Sequence, residues 1–146
     1  MSTEPAFVDS NVLVYAHMER SAFHGPSSAL VARAQARELA LLVAPQVLSE
    51  LYAVITDPRR VTDPYSPEEA LEAIEKLLAV PGVAVVGMPG DVVGRWIGLA
   101  RRHSVTRGEI FDVQLAATLL GNGLRRIYTY NRTHFECFPE IEVLTP

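Results

Sequence analysis

A chain of 146 residues with 49% apolar and 21% charged side chains is composed as a folded globular domain, which excludes a disordered polymer. At this size one domain buries about two-thirds of its unfolded surface. A formal net charge of −4 argues against a generic nucleic-acid coat, though not against a nuclease. No apolar stretch approaches the roughly 18 residues of a membrane span, and the opening MSTEPAFVD has neither the basic residues nor the apolar core of an export signal. The lone cysteine, Cys137, excludes an intramolecular disulfide and points to a reducing, cytoplasmic setting.

Strand and helix signals alternate along the chain. AFVDS reads as a short buried strand, and SNVLVYAHM as a helix opening after it, with Ser10 or Asn11 able to cap. Residues 27–40 form the next helix, Leu41 to Ala44 a short strand, and Pro45 opens a helix at a position proline favours. That helix stops before Asp57-Pro58. Ser66-Pro67-Glu68-Glu69 opens another, closed by Pro81-Gly82. VAVVG is a third strand, DVVGRWIGLARRH a helix, and residues 109–121 a helix ended by Gly121-Asn122-Gly123. RIYTY is a fourth strand and IEVL a closing one. The alternation implies an α/β domain spanning residues 1–146, with a mainly parallel sheet covered on both faces. Such sheets bind ligands at the carboxyl ends of their strands, near a reversal of strand order.

Three acidic residues interrupt apolar runs: Asp9 in AFVDSNVLVYA, Glu50 in APQVLSELYAVI and Asp112 in GEIFDVQLAATLL. A buried carboxylate must be hydrogen-bonded, paired or bound to metal, because isolated ionised burial is very costly. Asp9 sits at a strand-to-helix turn, where the plain alternative is capping; Ser10 and Asn11 can cap instead and leave the carboxylate free. On a helical wheel Asp112 falls beside Ala116 and Leu119, and Glu50 beside Val47 and Val54. A surface acid at the edge of the apolar stripe is the alternative for both. Glu109 lies one turn before Asp112, and its spacing from Thr106 equally suits a capping box.

No basic cluster adjoins these acids. Carboxylates about 4 Å apart repel by roughly 4 kcal/mol at an effective dielectric near 20. A hard cation such as Mg2+ or Mn2+ removes that repulsion and offsets charge on a phosphate. Zinc is not indicated, since His17, His24, His103 and His134 show no ligand spacing and Cys137, read as a packing residue, stands alone. GNGLRR lacks the third glycine of a dinucleotide fingerprint, and neither a phosphate-binding GxxxxGK[ST] loop nor a G-x-S-x-G elbow occurs. The only lysine, Lys76, lies on a middle helix, which does not suit a phosphoacceptor receiver. The other twelve basic residues are arginines, able to grip phosphate by paired hydrogen bonds, although genome composition is the plainer source of the bias.

Taken in order, FVDSNVLVYA, PQVLSELYAVI, GEIFDVQLAATLL and YTYNRTHF resemble the PIN domain, and within it the VapC-type toxin ribonucleases. The resemblance runs through nearly the whole chain. It implies a three-layer α/β/α sandwich on a roughly five-stranded sheet, magnesium or manganese dependence, RNA cleavage, homodimerisation and inhibition by a cognate antitoxin. By position, Asp9, Glu50 and Asp112 match the family's acidic ligands, and Glu109 an additional acidic position. Asn131 stands where an Asp often completes the quartet, and it offers a carbonyl oxygen without charge, so a second metal is held more weakly.

The resulting expectation is a magnesium-dependent endoribonuclease. Asp9 and Asp112 are its principal ligands, Glu50 and Glu109 ligate directly or through water, and Asn131 orients a water. Thr129 can hydrogen-bond a ligating group. Arg107, Arg132, Thr129 and Ser10 are candidate phosphate or RNA contacts, against the plain reading of Arg107 and Arg132 as solvated surface arginines. The rival readings are a catalytically weakened RNA- or protein-binding module, for which Asn131 speaks, and a dimerisation unit with merely solvated acids. RNA specificity is expected in surface loops such as 19–26 and 57–66.

Overall fold

The computed structural model describes residues 4–146, so the first three residues of the N-terminal stretch lie outside the described residues. Five short strands alternate with helices: β1 (Ala6–Val8), α1 (Ser10–Ala16), α2 (His24–Gln35), β2 (Leu41–Val43), α3 (Pro45–Ile55), α4 (Pro67–Leu78), β3 (Val83–Val85), α5 (Val92–His103), α6 (Glu109–Gly121), β4 (Arg126–Tyr128) and β5 (Glu142–Leu144). One 3-10 turn, Arg132–His134, follows β4. The sheet order is β3-β2-β1-β4-β5 and every pairing is parallel. The sheet is thus wholly parallel, where the sequence pattern indicated only mainly so.

Connectivity fixes the layers. From β1 the chain steps to β2 and β3 in one direction, then jumps from β3 back across β2 and β1 to β4. Right-handed crossovers therefore put α1 to α4 on one face and α5 and α6 on the other. The helix contacts agree: α1 packs on α2 and α3, α3 on α4, and α5 on α6. Between the layers lies an apolar core that includes Phe7, Val8, Leu13, Leu41, Leu51, Leu119 and Ile127. Strand β1 is buried at all three residues, as a central strand covered on both faces must be.

One helix departs from expectation. α2 runs His24–Gln35 and not 27–40. Pro26 is tolerated in its first turn because the missing N–H there has no intrahelical partner anyway. The end comes early because Arg37 adopts φ 61°, and the Arg37 and Glu38 N–H groups donate to the Ala34 and Arg33 carbonyls at 3.1 and 2.9 Å. That is a Schellman cap without its usual glycine, so no glycine marked it.

Candidate active site

Strand order reverses between β1 and β4, and the carboxyl ends of this adjacent pair carry Asp9 and Thr129. Asp9 is only 5% exposed. Its Oδ1 accepts the Ser10 N–H at 2.8 Å, and its Oδ2 accepts the Thr129 hydroxyl at 2.9 Å and the Asn11 amide at 3.2 Å. Asp9 is therefore itself the N-cap of α1, in place of the expected Ser10 or Asn11, and its carboxylate is held from three sides. Asn11 is spent on the same framework: it also donates to Thr129 Oγ1 at 3.2 Å and accepts the Tyr130 N–H at 3.1 Å. The Asn131 N–H donates to Thr129 Oγ1 at 3.0 Å.

Burial pushes the Asp9 carboxyl above its ordinary pKa; its hydrogen bonds from Thr129 and Ser10 pull it down, and the Asp112 charge adds to the rise. Asp112, in the first turn of α6, is half-buried and also raised. Desolvation is again the main cause, His134 opposes it, and the charges of Glu50 and Glu109 add to it. Asp112 thus links the acids: its charge acts on Asp9 at the end of β1, and those of Glu50 from α3 and Glu109 from α6 act on it. The nearest pieces do not yet form a closed cage: among the described residues no three His, Cys, Asp or Glu side chains come together tightly enough to hold a metal ion.

The other positions divide. Glu50 is exposed, because the buried stripe of α3 is Val47, Leu51 and Ile55 and Glu50 lies a hundred degrees round the helix from Leu51. Its Oε2 accepts the Ser10 hydroxyl at 2.7 Å, which ties α3 to the turn after β1. Glu109 is exposed at the start of α6 and its side chain receives a 3.4 Å hydrogen bond from the Thr106 hydroxyl, so the capping box that its spacing equally suited does not form. Asn131 is exposed at the mouth of the site. Thr129 is fully buried, which excludes it as an RNA contact and leaves it to orient Asp9. Arg132 is occupied by Glu136 at 2.9 Å and Thr145 at 2.9 Å, whereas Arg107 is exposed at φ 54° with no side-chain partner among the described residues.

Two residues escaped the sequence reading. Asn11 was weighed only as a cap, and His134 only as a histidine without ligand spacing. His134 Nδ1 lies 2.9 Å from Asp112 Oδ2, a contact set by the 3-10 turn after β4 and not by any local spacing. Cys137, expected to pack inside, is exposed and lines a cleft with Asp112, Glu109 and His134.

The donor set fits a hard divalent cation. All four acidic groups offer oxygen, and Mg2+ is commonly held by one or two carboxylates with waters filling the remaining positions. Asp9 and Asp112 are both desolvated, and the charge of Asp112 acts on Asp9, so a cation between them would offset charge that burial makes costly.

Residues 6–139 match the PIN domain family. Ribonuclease VapC43 of Mycobacterium tuberculosis is 35% identical over 118 residues, covering 79% of this chain and 78% of that protein. Among solved structures, M. tuberculosis VapC20, described as a Sarcin-Ricin loop cleaving toxin, superposes with TM-score 0.70 at 17% identity over 97% of this chain and 99% of that one. VapBC2 from Rickettsia felis, bound to a promoter DNA fragment, superposes with TM-score 0.68 at 13% identity over 97% of this chain and 98% of that one.

Proposed function

The chain belongs to the PIN domain family, its sequence relatives there being VapC ribonucleases, and from that premise we propose that it is a magnesium- or manganese-dependent endoribonuclease. The observation that carries the reading is the buried Asp9 carboxylate, held from three sides at the point where strand order reverses, with the charge of the half-buried Asp112 of α6 acting on it. Asp9 and Asp112 would hold the cation, with Glu50 and Glu109 beyond them as direct or water-borne ligands. When bound, the cation supplies Lewis-acid neutralisation of the phosphodiester charge.

The chain's own residues do the rest. Thr129, Asn11 and the Ser10 N–H fix the Asp9 carboxylate, so its orientation does not depend on the substrate. Ser10 holds Glu50 toward the same space. Asn131 presents an uncharged amide at the mouth, suited to orienting a water. Arg107, unpaired beside the N-terminus of α6, is the better placed of the two arginines for a phosphate, because Arg132 is already engaged.

In the cell the protein would act as the toxin of a toxin–antitoxin pair, as a cytoplasmic homodimer. Support for the partner comes from neighbours such as VapBC2, solved as a complex. Purified protein with Mg2+ or Mn2+ should cut RNA, and Asp9→Ala or Asp112→Ala should abolish the cleavage while leaving circular dichroism unchanged. Wild-type cleavage by either folded variant would overturn the assignment.

A further inference from the structure

Two clefts flank the carboxylates. One, beside Asp112, is shared by His134, Cys137 and Glu109. The other opens between α1 and α3 and includes Ser10, Glu50 and Asn131, so it is continuous with the same centre. Its volume is about 550 Å³. The remaining wall is not acidic. Tyr15, Met18 and Val54 give it an apolar side, and Arg60 stands at its edge.

Tyr15 is a prepared surface. Its ring is braced by Phe23 at 5.0 Å and by Tyr130 at 5.4 Å between centroids, and Tyr130 is pinned by Ser27 Oγ at 2.8 Å. Such a ring loses little freedom when a flat partner lies against it. Arg60 is prepared differently. Its neighbour Arg59 is committed to Asp57 by hydrogen bonds at 3.2 and 3.4 Å, whereas the exposed Arg60 guanidinium makes no hydrogen bond or close ion pair among the described residues and meets Asp57 only by a weaker, longer-range attraction. In a protein of net charge −4, an unspent guanidinium beside an apolar cleft that opens onto carboxylates suits an anionic, partly aromatic ligand.

We propose that this α1–α3 cleft seats a nucleotide of single-stranded RNA adjoining the bond that is cut, its base against Tyr15 and Met18 and a flanking phosphate on Arg60. The proposal rests on the ribonuclease reading and adds to it a subsite with a stated occupant. Unstacked bases pack on aromatic side chains, and guanidinium groups take phosphate oxygens in pairs. Because a base must leave its stack to lie against Tyr15, the cleft selects a strand that can splay a base, and a rigid duplex is disfavoured.

The probe is a fluorescein-labelled, mixed-sequence single-stranded RNA of twelve nucleotides, titrated by anisotropy with EDTA throughout so that nothing is cut. Arg60→Ala should raise Kd about tenfold, the usual worth of one charge-assisted contact, and lower the slope of log Kd against log salt by about one. Arg33→Ala removes the same charge from α2, where Arg33 pairs with Glu38 at 3.6 Å near the opposite end of the strands, and should leave both quantities unchanged. With 4-thiouridine in the strand, photocrosslinks should fall on Tyr15 or Met18. Equal binding by wild type and Arg60→Ala, an equal loss in Arg33→Ala, or crosslinks confined to the cleft of His134 and Cys137 would each overturn the subsite while leaving RNA cleavage standing. If the wild-type protein neither binds nor cuts RNA, the ribonuclease reading falls and the subsite with it.

Discussion

His134 meets Asp112 through one carboxylate oxygen, Oδ2, and the other has no hydrogen bond among the described residues. A carboxylate held this way presents one oxygen outward in a fixed direction, which is how outer partners commonly orient metal ligands. The contact is made from a half-exposed imidazole, so its benefit is in orientation more than in net stability. Removing such a partner typically costs 10- to 100-fold in metal affinity. His134→Ala should therefore weaken Mn2+ binding by roughly that factor in isothermal titration, and His134→Asn, whose amide can still donate, should recover part of it. Tighter Mn2+ binding by the alanine variant would show instead that the imidazole competes with the ion. Asp9 and Asp112 were legible in the sequence because a carboxylate inside an apolar run contradicts its surroundings. His134 was not, since an exposed histidine near a strand end contradicts nothing until α6 is packed beside it.

Among elements, β3 illustrates what local signals miss. Pro81-Gly82 reads as a helix stop, and α4 does end at Leu78, with its capping box at Ser66 and Glu69 formed as the sequence indicated. Yet Gly82 has a second role. Its N–H donates to the Ala34 carbonyl at 3.0 Å, its own carbonyl accepts the Leu41 N–H at 2.8 Å, and a Cβ there would lie 2.5 Å from the Ala34 carbonyl oxygen. The glycine lets the edge strand close onto the end of α2, a long-range approach that no nearby residue announces. Gly82→Ala must push backbone from backbone and should destabilise the protein by about 1–3 kcal/mol. The measurement is urea denaturation, and a midpoint unchanged from wild type would refute the contact. The same logic explains why the starts of α3 and α4 were readable while the bounds of α2 were not: Pro45 and Ser66-Pro67 carry their signals in their own side chains, but Arg37 adopts its left-handed geometry from the Schellman bonds around it.

At the scale of the whole molecule the acids set stability against function. Asp9 and Asp112 both have folded pKa values above the ordinary 3.8, chiefly through desolvation. As pH rises past that value the unfolded chain releases these protons first, so the native state then holds more of them and stability falls until the folded groups have also ionised. Above that window the full penalty persists. Asp57 and Glu69 run the other way, their pKa values lowered by hydrogen bonds from Arg59 and Ser66, but both lie at the surface, where solvent screens the effect. Asp9→Asn retains a capping side chain and removes the buried charge. In EDTA its melting temperature should match wild type near pH 3.5 and exceed it by roughly 3 °C or more at pH 7. A divalent ion binds only the native centre, so it stabilises by mass action, and it binds better as the carboxylates lose protons. Adding Mn2+ should thus raise the wild-type melting temperature more at pH 7 than near pH 3.5 and leave Asp9→Asn almost unmoved. An Asp9→Asn advantage in EDTA that is the same at both pH values would mean that the buried carboxylate is not the source of the penalty. A Mn2+ response undiminished in the variant would place the ion elsewhere on the protein.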